Sequence, residues 1–300
     1  MQSVGQEKSH RLEIDKIKTL VIFLPPTLGD TINHRATLRS LCSGLPNAKI
    51  IAISSGLGLE ILQTWPIDGV KVIPRKNAWF HLWQAKPDIA LFPYVQNKYL
   101  RLAARLRIPT RIGLSGGKHD DLLTHPIARI PGEHQIFDLS ARMLAEINLD
   151  HHENINISGE ILNLPPILAF MTGGSEPQKK WPLQHFQETA LHFKNQSYQI
   201  INIGGPDEKG ALNSIAEKDI AGTASWVETA NILASVQLLI TNDTGLMHLA
   251  AAVGTPTVSL FMKESPAEYA PLGSNHILLT PPITPDQVIS AANQQLEKQF

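Results

Sequence analysis

The sequence predicts an α/β protein made of two doubly wound, Rossmann-like halves whose parallel sheets face a common cleft. Three observations predict it. Short apolar runs alternate with helical patterns along the chain, the signature of parallel strands covered on both faces. The series restarts after "NINISGEILNLPP" (154–166), a stretch that has lost helical period and ends in two prolines. Glycine-bearing polar segments recur just after apolar runs, at the sheet edge where such folds bind ligands.

In the first half, "TLVIFL" (19–24), "AKIIAIS" (48–54), "VKVI" (70–73) and "DIALF" (88–92) read as strands. Helices are expected over 31–43, 57–64, 97–106 and 135–147. In the second half, strands are expected over 166–172, 198–204, 236–241, 256–261 and 276–280. Helices are expected over 182–194, 207–217, 226–234, 244–253 and 284–298. The boundary falls near residue 160 and gives two domains, 1–160 and 161–300, with the last helix a candidate to pack back on the first.

Composition narrows the function. A chain of 300 residues, 43% hydrophobic and 18% charged, can bury a sizeable core. Its net charge of −1 argues against bulk nucleic-acid binding, which needs a basic surface. Cys42 is the only cysteine, which excludes an internal disulfide and a cysteine zinc site. No apolar run reaches the roughly 18 residues of a spanning helix, and the N-terminus is polar, so a cytoplasmic protein is expected. Contact with a membrane surface stays open. "NKYLRLAARLRIPTR" (97–111) is basic enough to meet an anionic lipid or acceptor, or is a solvated helix face.

Four stretches carry the chemistry. "TNDTGLMHLAAAVGTPTVSLF" (241–261) places a helix start at the carboxyl end of a strand. Asp243 and Thr244 are good N-caps, and Gly254 and Pro256 end the helix. The free N–H groups and positive dipole end favour an anion, and Gly245 lets it approach the backbone. Thr244 and His248 share one face. A hydroxyl, bare backbone and an imidazole then converge on a phosphate-sized spot. Asp243 would repel that phosphate and suits the organisation of the loop. The other reading is a capped structural helix with a hydrogen-bonded core histidine.

"TGGSEPQKKWPLQHF" (172–186) follows a strand at the same edge. Gly173, Gly174 and Ser175 form a close-approach loop, and Lys179 and Lys180 bring positive charge for a phosphate or form a solvated basic turn. "NIGGPDEKG" (202–210) places Glu208 early in the next helix, where an acid can accept bonds from ribose hydroxyls or simply satisfy the dipole. "ASWVETA" (224–230) opens with a capping box, Ser225 to Glu228, and would supply a loop near the base. "FLPPTLGDTINHRATLRSL" (23–41) is the first strand-to-helix turn. Asp30 there would project into the cleft as a general base on a hydroxyl, or serve as a plain N-cap. Asn33 and His34 are candidates for a second, polar substrate. Neither a phosphate-loop motif nor Asp-x-Asp occurs, so the usual metal–diphosphate signature is missing.

Together, "NDTGLMHLAAAVGTPTVSLF", "KKWPLQHF", "IGGPDEKG" and "LGDTINHRATLRSL" resemble glycosyltransferase family 9, the bacterial heptosyltransferases of lipopolysaccharide core synthesis. The likeness extends loosely over residues 18–290. It implies the GT-B fold, with residues 1–160 on the acceptor side and 161–300 holding the nucleotide sugar. It also implies inverting transfer of heptose from ADP-heptose to a lipopolysaccharide-core acceptor, with no metal and no other cofactor. The same resemblance gives Asp30 the role of general base and puts Lys179 near the donor phosphates. Glu208 falls near the ribose, and Asp243, Thr244, Gly245 and His248 fall in the phosphate-binding motif. The implied setting is cytoplasmic, with peripheral contact at the inner membrane left open. The first half departs from the family pattern at Leu24 and Ala36, where an arginine and a proline are usual. Three other readings stay open: a transferase using another nucleotide sugar, a nucleotide-sugar epimerase of the same fold, and a non-catalytic sugar- or nucleotide-binding protein.

Overall fold

Residues 14–163, 165–263 and 265–298 are described by a computed structural model. The first sheet holds β1 (Thr19–Phe23), β2 (Lys49–Ser54), β3 (Val70–Pro74), β4 (Ile89–Phe92), β5 (Thr110–Leu114) and β6 (His125–Ile127). The second holds β7 (Ile167–Met171), β8 (Gln199–Asn202), β9 (Lys218–Asp219), β10 (Leu238–Asn242), β11 (Thr257–Leu260) and β12 (His276–Leu279). All pairings are parallel, in the orders β3-β2-β1-β4-β5-β6 and β12-β11-β10-β7-β8-β9. Counted within its own half, each sheet therefore runs three-two-one-four-five-six. The winding reverses between β1 and β4, and again between β7 and β10. Those switch points are where an open α/β sheet leaves a crevice beyond its strand ends.

The central strands are unbroken apolar runs because both faces are covered. All five residues of β1 are buried, as are all five of β7 and of β10. Leu20 and Ile22 pack under α1 (Leu28–Gly44), α2 (Gly56–Thr64) and α5 (Phe137–Ala145). Val21 and Phe23 face α3 (Ala78–Ala85) and α4 (Asn97–Arg105). In the second sheet, Leu168 and Phe170 pack under α6 (Leu183–Asn195) and α10 (Pro285–Glu297). The opposite face meets α7 (Trp226–Ser235) and α8 (Gly245–Val253).

The two halves share one apolar cluster. Leu28, Ile32 and Ala36 of α1 join Leu246, Leu249 and Ala250 of α8 in it. Two glycines let the helix starts meet. A Cβ on Gly29 would lie 2.6 Å from the His248 ring, and one on Gly245 would lie 2.8 Å from the Leu28 side chain. The segment after α5 is bound along the second half. Ile155 and Ile157 are buried, and the Ile157 N–H donates to the Ala252 carbonyl at 2.8 Å.

Several elements differ from expectation. The helix predicted over 207–217 is a short 3-10 turn, Pro206–Glu208, followed by turns. Gly210, at φ 81°, stops propagation, and its N–H is taken by Asp219 at 2.7 Å. Among the described residues, the last helix, α10, packs within its own half. Val288, Ala291 and Ala292 pack it with α6 against its own sheet. Strands β5, β6 and β9 and helices α3 and α9 (Pro266–Tyr269) had no counterpart in the pattern. β6 and β9 are too short, at three and two residues, to show alternation. β5 hides behind the basic stretch that precedes it.

Candidate active site

Both switch points open on one cleft of about 990 Å³, walled by the loops after β1, β7 and β10 and by the region after β8. Asp30, Gly174, Lys179, Glu208, Ser225, Asp243, Thr244, Gly245 and His248 all line it.

The first-half wall is a pinned loop. The Leu24 carbonyl accepts from Arg75 at 2.6 Å and from the Tyr94 hydroxyl at 3.2 Å. The Pro25 carbonyl accepts from Ser54 at 2.9 Å and from Thr31 at 3.2 Å, and the Pro26 carbonyl accepts from the Gly58 N–H at 2.9 Å. This fixed backbone launches α1, whose N-cap is Thr27 rather than Asp30. Asp30 is third in the helix, half-buried, and its Oδ2 accepts from the Thr27 hydroxyl at 2.6 Å. Its carboxylate is thus oriented, not spent on capping.

The second-half wall is organised by Asn242, which the sequence pattern did not single out. It is fully buried, and its amide donates to the carbonyls of Thr172 and Gly173 at 3.0 and 2.8 Å. Its Oδ1 accepts from the Trp181 N–H at 3.0 Å. One side chain therefore ties the glycine loop and the lysine loop to the start of α8. Trp181 in turn packs on Phe186, ring centroids 5.0 Å apart, as a staple at the start of α6. Apart from its place between a strand end and a helix start, nothing in "TNDTG" marks Asn242.

Thr244, not Asp243, is the N-cap of α8, and its side chain makes no capping hydrogen bond. Its hydroxyl lies 3.2 Å from that of Thr241. The first turn of α8 thus opens on the cleft, as an anion seat requires. Asp243 sits 3.4 Å from the Lys179 ammonium, an ion pair whose side chains are only 16% and 11% exposed on the lysine and aspartate sides. The pair holds the ammonium at the cleft wall, where Asp243 also lies. The Lys179 ammonium also lies 5.8 Å from the centre of the Tyr269 ring, a cleft residue the pattern missed. Lys180 is exposed and outside the cleft lining.

His248 is buried and held neutral; burial first, then the neighbouring His134 and His276, push its pKa down to about 3. Its Nδ1 lies 3.2 Å from the Asn33 amide nitrogen. In the tautomer that accepts from that amide, the proton rests on Nε2 and His248 offers the cleft a neutral N–H donor. Asn33 and His34 are corrected as acceptor-side contacts. Each is only 1% exposed and neither lines the cleft. Asn33 joins α1 to α8 through His248. His34 is packed in the first half, its pKa pushed to about 3 by burial and then by His151 and His134.

On the far wall, Glu208 is 9% exposed, and its Oε2 accepts from the Gly205 N–H at 2.9 Å. A Cβ on Gly173 would overlap the Glu208 carboxylate, so glycine there sets the approach of the two loops. Ser225 borders the cleft, but its hydroxyl is occupied by the capping box: it accepts from the Glu228 N–H and donates to the Glu228 carboxylate. Trp226 is half-buried, packing on the shared core while lining the cleft.

The family model for glycosyltransferase family 9 (heptosyltransferase) matches residues 134–296, more than half of the chain. The chain belongs to glycosyltransferase family 9. Its match to lipopolysaccharide heptosyltransferase 2 of Salmonella typhimurium is 33% identical over 118 residues. That alignment covers 36% of this chain and 34% of the relative, so it spans about a third of the curated relative's length. Among solved structures, the ADP-heptose lps heptosyltransferase II of E. coli has a TM-score of 0.77 at 22% identity, covering 94% of this chain and 99% of that one. A family 9 glycosyl transferase of Veillonella parvula has a TM-score of 0.79 at 21% identity, covering 94% and 97%. The fold of this family 9 chain is thus the two-sheet GT-B arrangement.

Proposed function

We propose that this family 9 chain transfers a heptose from ADP-heptose to a hydroxyl of a lipopolysaccharide-core acceptor, with inversion and without a bound metal. One observation carries the reading: an oriented carboxylate, Asp30, and an uncapped helix start with Lys179 beside it line opposite sides of one cleft. A module that only binds a nucleotide has no use for the carboxylate. The E. coli neighbour is an ADP-heptose lps heptosyltransferase, and ADP-heptose is the donor assigned here.

In this reading residues 1–160 serve the acceptor and 161–300 the donor. The diphosphate lies on the first turn of α8, among Thr244, Gly245, the Nε2–H of His248 and Lys179. Glu208 receives the ribose, and the Gly174 loop and the Ser225–Trp226 wall bound the nucleotide. Asp30 removes the proton of the acceptor hydroxyl as its oxygen bonds to the anomeric carbon from the face opposite the leaving group. The bond from that carbon to the phosphate oxygen breaks, and ADP leaves with the electron pair. The helix dipole, the N–H donors and the ammonium oppose the charge gained by the leaving group. Among the described residues, no three His, Cys, Asp or Glu side chains are grouped to hold a metal ion.

Turnover against a panel of nucleotide sugars and truncated lipopolysaccharides tests the assignment. ADP-heptose is the expected donor, and activity is expected to persist in EDTA. Preference for a UDP-sugar refutes the donor. Loss in EDTA that Mg²⁺ or Mn²⁺ restores refutes the metal-free step. Replacing Lys179 by alanine removes the ammonium and leaves Asp243 facing the diphosphate. The expected loss in kcat is on the order of 10²–10³-fold. Steady-state rates at saturating donor measure it.

A further inference from the structure

The first half carries a surface that neither the cleft nor the core uses. α3 buries Ala78 and Leu82 and turns three aromatic rings outward: Trp79, Phe80 and Trp83 are 55%, 53% and 57% exposed. Trp79 and Trp83, one turn apart, stack with centroids 6.3 Å apart and planes within 7°. Helix faces toward water are normally polar. A contiguous exposed apolar cluster marks an interaction surface.

The charge around it has one sign. From Lys71 to Arg111 the chain holds nine Lys or Arg and a single acid, Asp88, in a protein whose net charge is −1. The Asp88 carboxylate accepts from the backbone N–H groups of Lys18 and Thr19, at 2.8 and 2.9 Å. It is spent on joining chain segments. α4 lies on the same sheet face as α3 and exposes Lys98, Arg101 and Arg105. Arg107, just past α4, shares a groove of about 310 Å³ with Trp83 and Lys86. An indole and two cations thus border one depression.

We propose that the α3–α4 face docks on an anionic phospholipid bilayer. Trp79, Phe80 and Trp83 enter the headgroup region, and Lys98, Arg101, Arg105 and Arg107 meet the lipid phosphates. The arrangement matches the layer it would meet. Trp rings settle at headgroup depth, where one edge is apolar and the other wet. Basic side chains lay their stems along the apolar surface and keep their charges at the phosphates. Each Lys or Arg near such a surface adds attraction that salt weakens. The placement also suits a lipid-linked substrate. α3 follows β3 at the carboxyl edge of the first sheet, and Arg75, just before it, donates to the loop that carries Asp30. The docking face uses none of the donor-site assignments, so either can fail without the other.

Co-sedimentation of the full chain with vesicles tests it. Vesicles containing phosphatidylglycerol are expected to take up the protein at low salt and release it at high salt. Phosphatidylcholine vesicles are expected to bind roughly tenfold less or weaker still. The triple variant Trp79→Ser/Phe80→Ser/Trp83→Ser and the double variant Arg101→Glu/Arg105→Glu should each lower partition by roughly tenfold or more. All these positions are exposed, so the melting temperature should hold within a few degrees of the parent. Wild-type protein that ignores phosphatidylglycerol vesicles overturns the proposal, as do variants that bind as well as the parent. A dimer that the triple variant abolishes, without vesicle binding, assigns the face to self-association and also overturns it.

Discussion

Asp30→Asn is expected to slow turnover by about 10³-fold while nucleotide affinity stays within about twofold of the parent. Asparagine keeps the size of the side chain and an oxygen that can accept the Thr27 hydroxyl, now held at 2.6 Å. The pinned loop beneath it, fixed through the carbonyls of Leu24, Pro25 and Pro26, is untouched. What disappears is the capacity to take a proton. The nucleotide seat is built from the other half, so calorimetry with ADP should not register the change. The effect should fall on kcat rather than on donor KM, because the proton moves only as the transition state forms. A variant with parental turnover refutes Asp30 as the base. One that loses ADP affinity as well refutes the division of labour between the two walls.

Acid is expected to destabilise the fold well before its carboxylates are titrated. His34 and His248 are 1% and 7% exposed, and burial is the largest cause of the low pKa of each, about 3. Unfolding frees both imidazoles to bind protons at any pH below their ordinary value of about 6.5. The unfolded chain therefore holds more protons between pH 6.5 and pH 3, and stability falls as pH drops through that window. Below it, both states are protonated and these two groups add no further loss. At pH 5 each histidine costs about 2 kcal/mol, roughly 4 kcal/mol for the pair. That is a large part of the margin of an ordinary domain and about 6 °C in melting temperature. His151, lowered to about 4, adds to the same slope. Thermal melts at pH 7.5 and 5 measure the drop. His34→Gln and His248→Gln, which cannot titrate, should each flatten it. A slope that neither substitution alters refutes the neutral, buried state of these rings.

The sequence made the fold legible because its central strands are buried on both faces. β1, β7 and β10 have no choice but to be apolar throughout, and helical patterns between them dictate parallel pairing. Legibility failed where a tertiary partner overrides local pattern. α3 has an aromatic outer face, so the polar side of an amphipathic helix is missing. Glu208 looked like the start of a helix, but Gly210 and the bond to Asp219 set a turn instead. Within the site, residues beside glycines at strand ends were readable: Asp30, Lys179, Glu208 and Thr244 all reach the cleft. The direction of a helix face was not. Asn33 and His34 follow Asp30 closely in sequence, yet the packing of α1 on α8 and α5 turns them inward. Asn242 was invisible because its task is to hold three backbone segments that only the fold brings together. The capping of Ser225 was readable, and its consequence for a ligand is that the hydroxyl is already engaged.

The contact of α1 with α8 has a mechanical consequence. Gly29 against His248 and Gly245 against Leu28 bring the two helix starts as close as backbone allows. In any rotation of one sheet relative to the other about this contact, displacement grows with distance from the fulcrum. Asp30 and Thr244 are immediate chain neighbours of those glycines, so their lever arms are short. Helix α2, which carries Leu57 and Glu60, also meets α7, which begins at Trp226, so the rim is bridged as well. In such a rotation Asp30 and Thr244 therefore keep nearly the same mutual spacing.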